Sequence, residues 1–138
     1  MKPILEDPLF VYLFPDDFQQ PPPWRSHPGR GWCVGSFDAV VDAEWDRPRP
    51  SMPRRLWMPQ EDEAGIPFWA QWTAREALYK RIWRRRRFVP ADFPVKGWRQ
   101  AGHPSALVHP FFFWDGGFSA CIRLPGHPPL WVSAAFLS

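Results

Sequence analysis

The hydrophobic positions of this chain fall into short segments, and prolines separate one segment from the next. Proline is excluded from helix interiors and from central strands. The long proline-free windows 29–47, 68–89, 111–124 and 130–138 therefore predict the principal elements of secondary structure.

Strand patterns occupy both ends of the chain. Residues 9–14 form an apolar run between prolines, which predicts a buried strand. Residues 37–46 alternate apolar and acidic side chains, which predicts a half-buried strand with an acidic outer face. That face would carry Asp38, Asp42, Glu44 and Asp46. Residues 107–114, 118–124 and 130–137 predict a three-stranded meander, with a tight turn at Asp115-Gly116-Gly117.

One helix is predicted between the two groups of strands. It should open after Gly65 with Pro67 in its first turn, and it should end before Pro90. A helical wheel puts large apolar side chains in one stripe: Phe68, Trp72, Tyr79, Ile82 and Trp83. The element order ββαβββ predicts a single compact α+β domain over residues 1–138. Its core would be an antiparallel sheet of about five strands, with one amphipathic helix on a face and long Pro-rich loops.

Composition supports a folded chain despite its prolines. The 138 residues include 19 Pro, 10 Trp and 12 Phe, so aromatic side chains supply the buried area that disordered chains lack. The first residues carry acids and prolines and do not resemble a signal peptide. The longest apolar run, 9–14, is too short to cross a bilayer. We therefore expect a cytoplasmic protein without a membrane contact, in which Cys33 and Cys121 are reduced thiols.

Charge is distributed unevenly along the chain. Residues 1–46 hold eight acids and three bases, whereas residues 47–99 hold thirteen bases and five acids. Such asymmetry is typical of a binding face, and it also allows two parts of one fold to attract each other.

Candidate chemistry is weak at the level of sequence spacing. The acidic face matches no dedicated cation-binding loop, and all four histidines precede proline. The cysteines and histidines fit no zinc-finger or ribbon spacing. Catalytic pairs of Cys33 with His27, or of Cys121 with His127, would need the fold to bring them together. We therefore expect no metal, no cofactor and no catalytic residues.

The leading hypothesis is a small non-catalytic protein that binds another protein or a second copy of itself. The meander is almost uncharged on its second face, so loops or a partner should cover it. Inhibitors and accessory proteins, such as immunity proteins or proteins of phages and mobile elements, are analogies of this size. Residues of interface-like composition are Trp24, Arg25, Arg54, Arg55, Trp57 and Trp131.

Two alternatives belong to other classes. A nucleic-acid-associated protein would use the arginine run at the helix end together with a neighbouring tryptophan. Those residues are Arg84, Arg85, Arg86, Arg87 and Trp98. The third hypothesis is a small enzyme or small-ligand binder with a pocket lined by tryptophan.

Overall fold

The computed structural model describes residues 1–57, 65–82 and 87–137. These residues form nine strands, the helix α1 (Phe68–Ile82) and a short 3-10 turn (Pro90–Asp92). The first five strands are β1 (Lys2–Leu5), β2 (Val11–Pro15), β3 (Trp24–Gly29), β4 (Trp32–Ser36) and β5 (Ala39–Trp45). The remaining four are β6 (Arg99–Ala101), β7 (Val108–Trp114), β8 (Gly117–Ile122) and β9 (Leu130–Phe136).

The strands build two antiparallel sheets, which confirms the predicted α+β class. The five-stranded sheet has the order β5-β9-β8-β7-β6 and contains the predicted meander. A second sheet, with the order β1-β2-β4-β3, was not predicted. The single-sheet order ββαβββ is therefore wrong in strand number, because β1, β3 and β4, which lie outside the predicted strands, pair with β2 and with one another.

The core lies in two layers on opposite faces of the five-stranded sheet. Alternate side chains of β5, β8 and β9 point toward the four-stranded sheet and form the larger cluster. Their neighbours point toward α1, where a shared hydroxyl network joins the helix to the sheet. Thr73 Oγ1 lies 2.7 Å from Ser133 Oγ, which lies 2.6 Å from Ser119 Oγ. The second face of the meander is thus covered by this chain's own helix.

The helix packs on the sheet with small side chains, so the predicted aromatic stripe is wrong as a core face. Ala70, Thr73, Ala74 and Ala77 are fully buried, and they let the helix approach the strands closely. The predicted aromatic residues lie along the flank of the helix, half-buried, and Ile82 is exposed. That flank is covered by other parts of the chain, through the pairs Trp57–Phe68, Trp72–Phe88 and Tyr79–Phe93. Trp83 lies outside the described residues.

The acidic outer face predicted for β5 is wrong at Asp42. Its side chain is 3 % exposed, because the helix covers that face of the strand. Glu44 is half-buried, while Asp38 and Asp46 are exposed as predicted. Within the described part of the chain, no helix is long and apolar enough to cross a membrane.

Candidate functional site

A basic segment lies across the N-terminal half of α1, and we call residues 47–55 the arginine strap. Three prolines stiffen it, and its four arginines have no acidic neighbour within the segment. The arginines are Arg47, Arg49, Arg54 and Arg55, and all four are exposed. A turn follows, in which the backbone amide of Trp57 donates to the carbonyl of Pro53.

The strap is held in place by aromatic side chains beneath it. Trp69 Nε1 donates a 2.7 Å hydrogen bond to the carbonyl of Arg47, whose guanidinium lies 4.1 Å from the centre of the same indole. The Arg49 guanidinium lies 4.6 Å from the centre of the Phe68 ring. At the far end Trp57 is 3 % exposed and packs against Phe68. Cation–π contacts of this kind hold an arginine through the face of its guanidinium.

The geometry of a stacked guanidinium indicates what such an arginine can bind. The group has five N–H donors in its plane, and a ring contact uses only the face of that plane. The edges can therefore meet carboxylates, which accept paired hydrogen bonds from this group. Arg47 contacts a carboxylate in this way, with Nη1 at 3.0 Å from Glu44 Oε2. The surface is suited to bind acidic groups.

The residues predicted for protein binding divide into exposed and buried members. Arg54 and Arg55 are exposed on the strap, and Arg25 is exposed on β3. Trp57 and Trp131 are buried, and Trp131 Nε1 donates to Asp46 Oδ1 at 2.9 Å. Trp57 thus supports the strap from below, since its ring lies 5.9 Å from the Arg49 guanidinium, whereas Trp131 packs between the sheet and the helix beside Trp69. Neither tryptophan forms an exposed contact surface. Trp24 is half-buried and packs against the cluster that contains Trp114.

The residues predicted for nucleic-acid binding do not form a described site. Arg84, Arg85 and Arg86 lie outside the described residues, and Arg87 is exposed. Trp98 is half-buried and contacts Phe112 and Trp114, with ring centroids 6.0 and 6.2 Å apart. A base-stacking platform needs an exposed ring face, so these contacts do not favour that role for Trp98.

A second cluster joins β5 to the helix. Lys80 Nζ lies 2.9 Å from Asp42 Oδ1, and Ser26 Oγ lies 3.2 Å from the same oxygen. Carboxylate oxygens of Asp42, Glu44 and Glu76 lie within 4.8 Å of one another. Lys80 supplies a cation to this group, which offsets part of the cost of burying its negative charge.

The surroundings of this cluster raise the pKa of both of its glutamates. Burial and the adjacent Asp42 carboxylate raise the pKa of Glu76 to about 9, and burial also raises the pKa of Glu44. Asp42 Oδ2 is buried, and no N–H or O–H group of the described residues is assigned a hydrogen bond to it. The carboxylic acid of Glu76 is the group that can donate to it. The environment of Glu76 therefore favours the acid form of this side chain.

We expect Glu76→Gln to change how stability depends on pH. The unfolded chain loses the Glu76 proton near pH 4.5, whereas the folded chain keeps it until about pH 9. The free energy of unfolding therefore falls between these values as the pH rises, by on the order of 2 kcal/mol for a half-buried carboxyl that solvent still screens. The amide that replaces the carboxyl cannot ionise, so the variant should lose this decline and be more stable than the wild type at pH 8.

Urea unfolding at pH 5, 7 and 9 measures this difference. The matched control is Glu44→Gln, which removes another carboxyl of the same cluster and should keep most of the decline. If the free energy of unfolding of Glu76→Gln declines with pH as much as that of the wild type, the raised pKa of Glu76 is contradicted.

The two cysteines have different surroundings, and neither is poised as a nucleophile. Burial raises the pKa of Cys121 to about 11 and also raises the pKa of Cys33. Cys121 packs on the helix side of its sheet beside Trp69, whereas His127 stacks on Trp45 of the other core layer. Cys33 does lie close to His27, and Asp16, which the sequence did not suggest, joins them.

A cleft of about 320 Å³ opens between β1 and the ends of β7 and β8. Its described lining contains no tryptophan, so it differs from the pocket predicted for a small-ligand binder. Aliphatic residues dominate the lining: Ile4, Leu5, Leu107, Val108, Ile122 and Leu124. A hydrogen bond of 2.7 Å between His103 Nε2 and the carbonyl of Asp7 joins its two sides.

Comparisons with known proteins identify no relative of this chain. No protein-family model matches the chain, and neither the curated proteins nor the solved structures contain a detectable match. The functional argument therefore depends on the strap and the clusters described above.

Proposed function

We propose that this protein is a small non-catalytic binding protein that recognises an acidic surface of another protein through the arginine strap. The single observation that carries the proposal is the exposed pair Arg54 and Arg55 on a proline-stiffened segment, which is held in place where Arg47 and Arg49 stack on aromatic rings. Stiff segments lose little conformational entropy on binding, and arginine is enriched among the residues that dominate binding energy. An inhibitor or accessory subunit of a larger assembly is the kind of protein that such a surface suits.

The aromatic residues favour a protein partner over nucleic acid. Binding of single strands needs ring faces open to bases, but Trp57 and Trp69 are 3 % and 5 % exposed. Residues 1–46 also carry more acids than bases, which weakens attraction to a long polyanion. A folded acidic surface offers carboxylates at fixed positions, which exposed guanidinium groups on a stiff segment can meet.

Affinity capture with three versions of the protein tests the proposal. We expect wild-type protein to retain a defined acidic protein from a lysate of its own cells, also after nuclease treatment. The strap variant Arg54→Glu/Arg55→Glu should retain at least tenfold less of it. The matched variant Lys96→Glu/Arg123→Glu makes the same change of charge at exposed positions outside the strap, and it should capture normally.

Two results would overturn the proposal. Capture that survives in the strap variant would remove the strap from the interface. Capture that disappears with nuclease would instead support the nucleic-acid-associated alternative.

A further inference from the structure

Three side chains of different chemistry converge on the outer face of the four-stranded sheet. Asp16 follows the end of β2, His27 lies in β3, and Cys33 lies in β4 between those two strands. The Nδ1 atom of His27 is 3.3 Å from Asp16 Oδ1, and both residues place a ligand atom within 4.8 Å of Cys33 Sγ. Cys33 is 1 % exposed, while the imidazole and the carboxylate are 60 % and 47 % exposed. The exposed side chains of His27 and Asp16 therefore lie at the surface next to the buried thiol of Cys33.

The strand pairing explains why residues so far apart in sequence meet. Ser26 pairs with Val34 and Gly29 pairs with Trp32, so β3 has one more residue than β4 in this interval. This β-bulge falls at His27 and Pro28, opposite Cys33. Bulges redirect side chains, and they are frequent beside functional sites.

The third residue is fixed from the opposite side of β4. Phe14 pairs with Cys33, and Pro15 pairs with Trp32 at the end of β2. The backbone amide of Asp16 then donates a 3.0 Å hydrogen bond to the carbonyl of Gly31 in the β3–β4 turn. Asp16 and His27 are thus held on either side of the same cysteine by backbone pairing.

The donor set is the one that zinc prefers. Zinc binds thiolate sulfur, imidazole nitrogen and carboxylate oxygen at about 2.0–2.3 Å, in tetrahedral geometry. Donor atoms in such a site are roughly 3.3–3.7 Å apart, as follows from those bond lengths. The separation of 3.3 Å between His27 and Asp16 already falls there, and since no separation in the cluster exceeds 4.8 Å, the donors need to close by at most about 1 Å. Both exposed side chains can rotate toward the buried sulfur.

We propose that Asp16, His27 and Cys33 bind one zinc ion, with the fourth coordination position open to solvent. The thiolate and the carboxylate together balance the two charges of the ion. Softer and borderline cations are favoured over magnesium or calcium, which take oxygen ligands only. The site lies on the four-stranded sheet, whereas the strap is anchored to the helix, so the zinc site does not depend on the proposed binding function.

Cobalt(II) is the probe that tests this site, because thiolate ligation to cobalt gives a charge-transfer absorption in the near ultraviolet. The protein is first freed of metal with a chelator and exchanged into buffer. We expect the absorption to rise to saturation at one equivalent of cobalt and to disappear when zinc is added. Zinc should also raise the melting temperature of the wild-type protein.

Matched variants separate the proposed site from incidental thiol binding. Cys33→Ser should abolish the absorption, whereas Cys121→Ser, which removes the other buried thiol, should retain it. His27→Ala changes an exposed side chain, so it should fold normally, bind cobalt at least tenfold more weakly and lose the stabilisation by zinc. This variant keeps the test valid if Cys33→Ser does not fold.

Three outcomes would overturn the proposal. They are wild-type protein without the absorption, absorption that follows Cys121 and not Cys33, and unchanged cobalt affinity in His27→Ala.

Discussion

Replacement of Trp114 by alanine should lower the free energy of unfolding by about 4 kcal/mol, the largest effect that we expect from a single side chain. Trp114 is the largest of the fully buried side chains of the described residues, at 1 % exposure. It fills the space between the sheet and the helix beside Ala74 and Ala77, whose small side chains cannot fill the cavity that truncation would leave. Its Nε1 atom also donates a 2.9 Å hydrogen bond to Ser119 Oγ.

Chemical denaturation of Trp114→Ala and of Phe37→Ala checks this prediction. Phe37 is 51 % exposed, so its truncation removes an aromatic ring without leaving a cavity and should cost less than about 1 kcal/mol. Trp114→Phe should fall between the two, because it retains most of the apolar volume. Equal stability of the two alanine variants would show that the layer between sheet and helix is not packed as described.

Gly117→Ala should be nearly as damaging, by about 3 kcal/mol or more, although it adds a single methyl group. A Cβ atom at Gly117 would overlap the carbonyl oxygen of Ala134 in β9 and would come within 2.5 Å of the Trp114 ring. The carbonyl belongs to the backbone of a central strand and cannot rotate away. The β8–β9 pairing would therefore have to shift.

Gly102→Ala is the matched control, because a Cβ atom there meets nothing within 4 Å. This variant should have the stability of the wild type or be slightly more stable, since alanine restricts the unfolded chain. The double variant Gly117→Ala/Trp114→Phe should remain unstable, because the backbone contact persists. Recovery of stability in the double variant would mean that only the indole ring opposes the methyl group.

The sequence predicts four of the five strands of the larger sheet but misses its edge strand β6, and in the four-stranded sheet it predicts only β2. β8 and β9 lie inside the sheet, where proline is rarely tolerated, so their proline-free windows are visible. β7 contains Pro110 at the irregularity of its pairing between Val108 and Phe111. β3 contains Pro28 and ends at Gly29, which are typical of a loop. The bulge and the position at the sheet edge let proline lie in a strand without the loss of a ladder hydrogen bond.

The helix shows a different limit. On a helical wheel the large aromatic residues form the most apolar stripe, so they are predicted to face the core. The face of the sheet that the helix covers, however, already carries large side chains such as Trp114 and Phe112. Close approach then requires alanines on the helix. The aromatic residues of the helix pack instead against side chains of segments 53–57 and 87–93. A helical periodicity describes only the helix itself, so it cannot predict these contacts.

Composition predicts Arg54, Arg55 and Trp57 as binding residues but not the direction of their side chains. Arg54 and Arg55 are exposed as the binding hypothesis needs, whereas Trp57 is buried beneath them. The sequence suggests a pairing of Cys33 with His27, but it contains no signal that would add Asp16. Its place depends on a hydrogen bond to Gly31 and on the bulge, neither of which a spacing pattern contains.

The central claim is that the arginine strap binds an acidic protein, and a solution affinity measurement tests it most directly. The captured partner, once purified, is titrated by calorimetry into wild-type protein, Arg54→Glu/Arg55→Glu and Lys96→Glu/Arg123→Glu at low and at physiological salt. We expect the strap variant to lose at least tenfold in affinity at both salt concentrations, which is about 1.4 kcal/mol or more, and the matched variant to lose less than about threefold. Equal losses in the two variants, or micromolar binding of duplex DNA by the wild type at physiological salt, would contradict the claim.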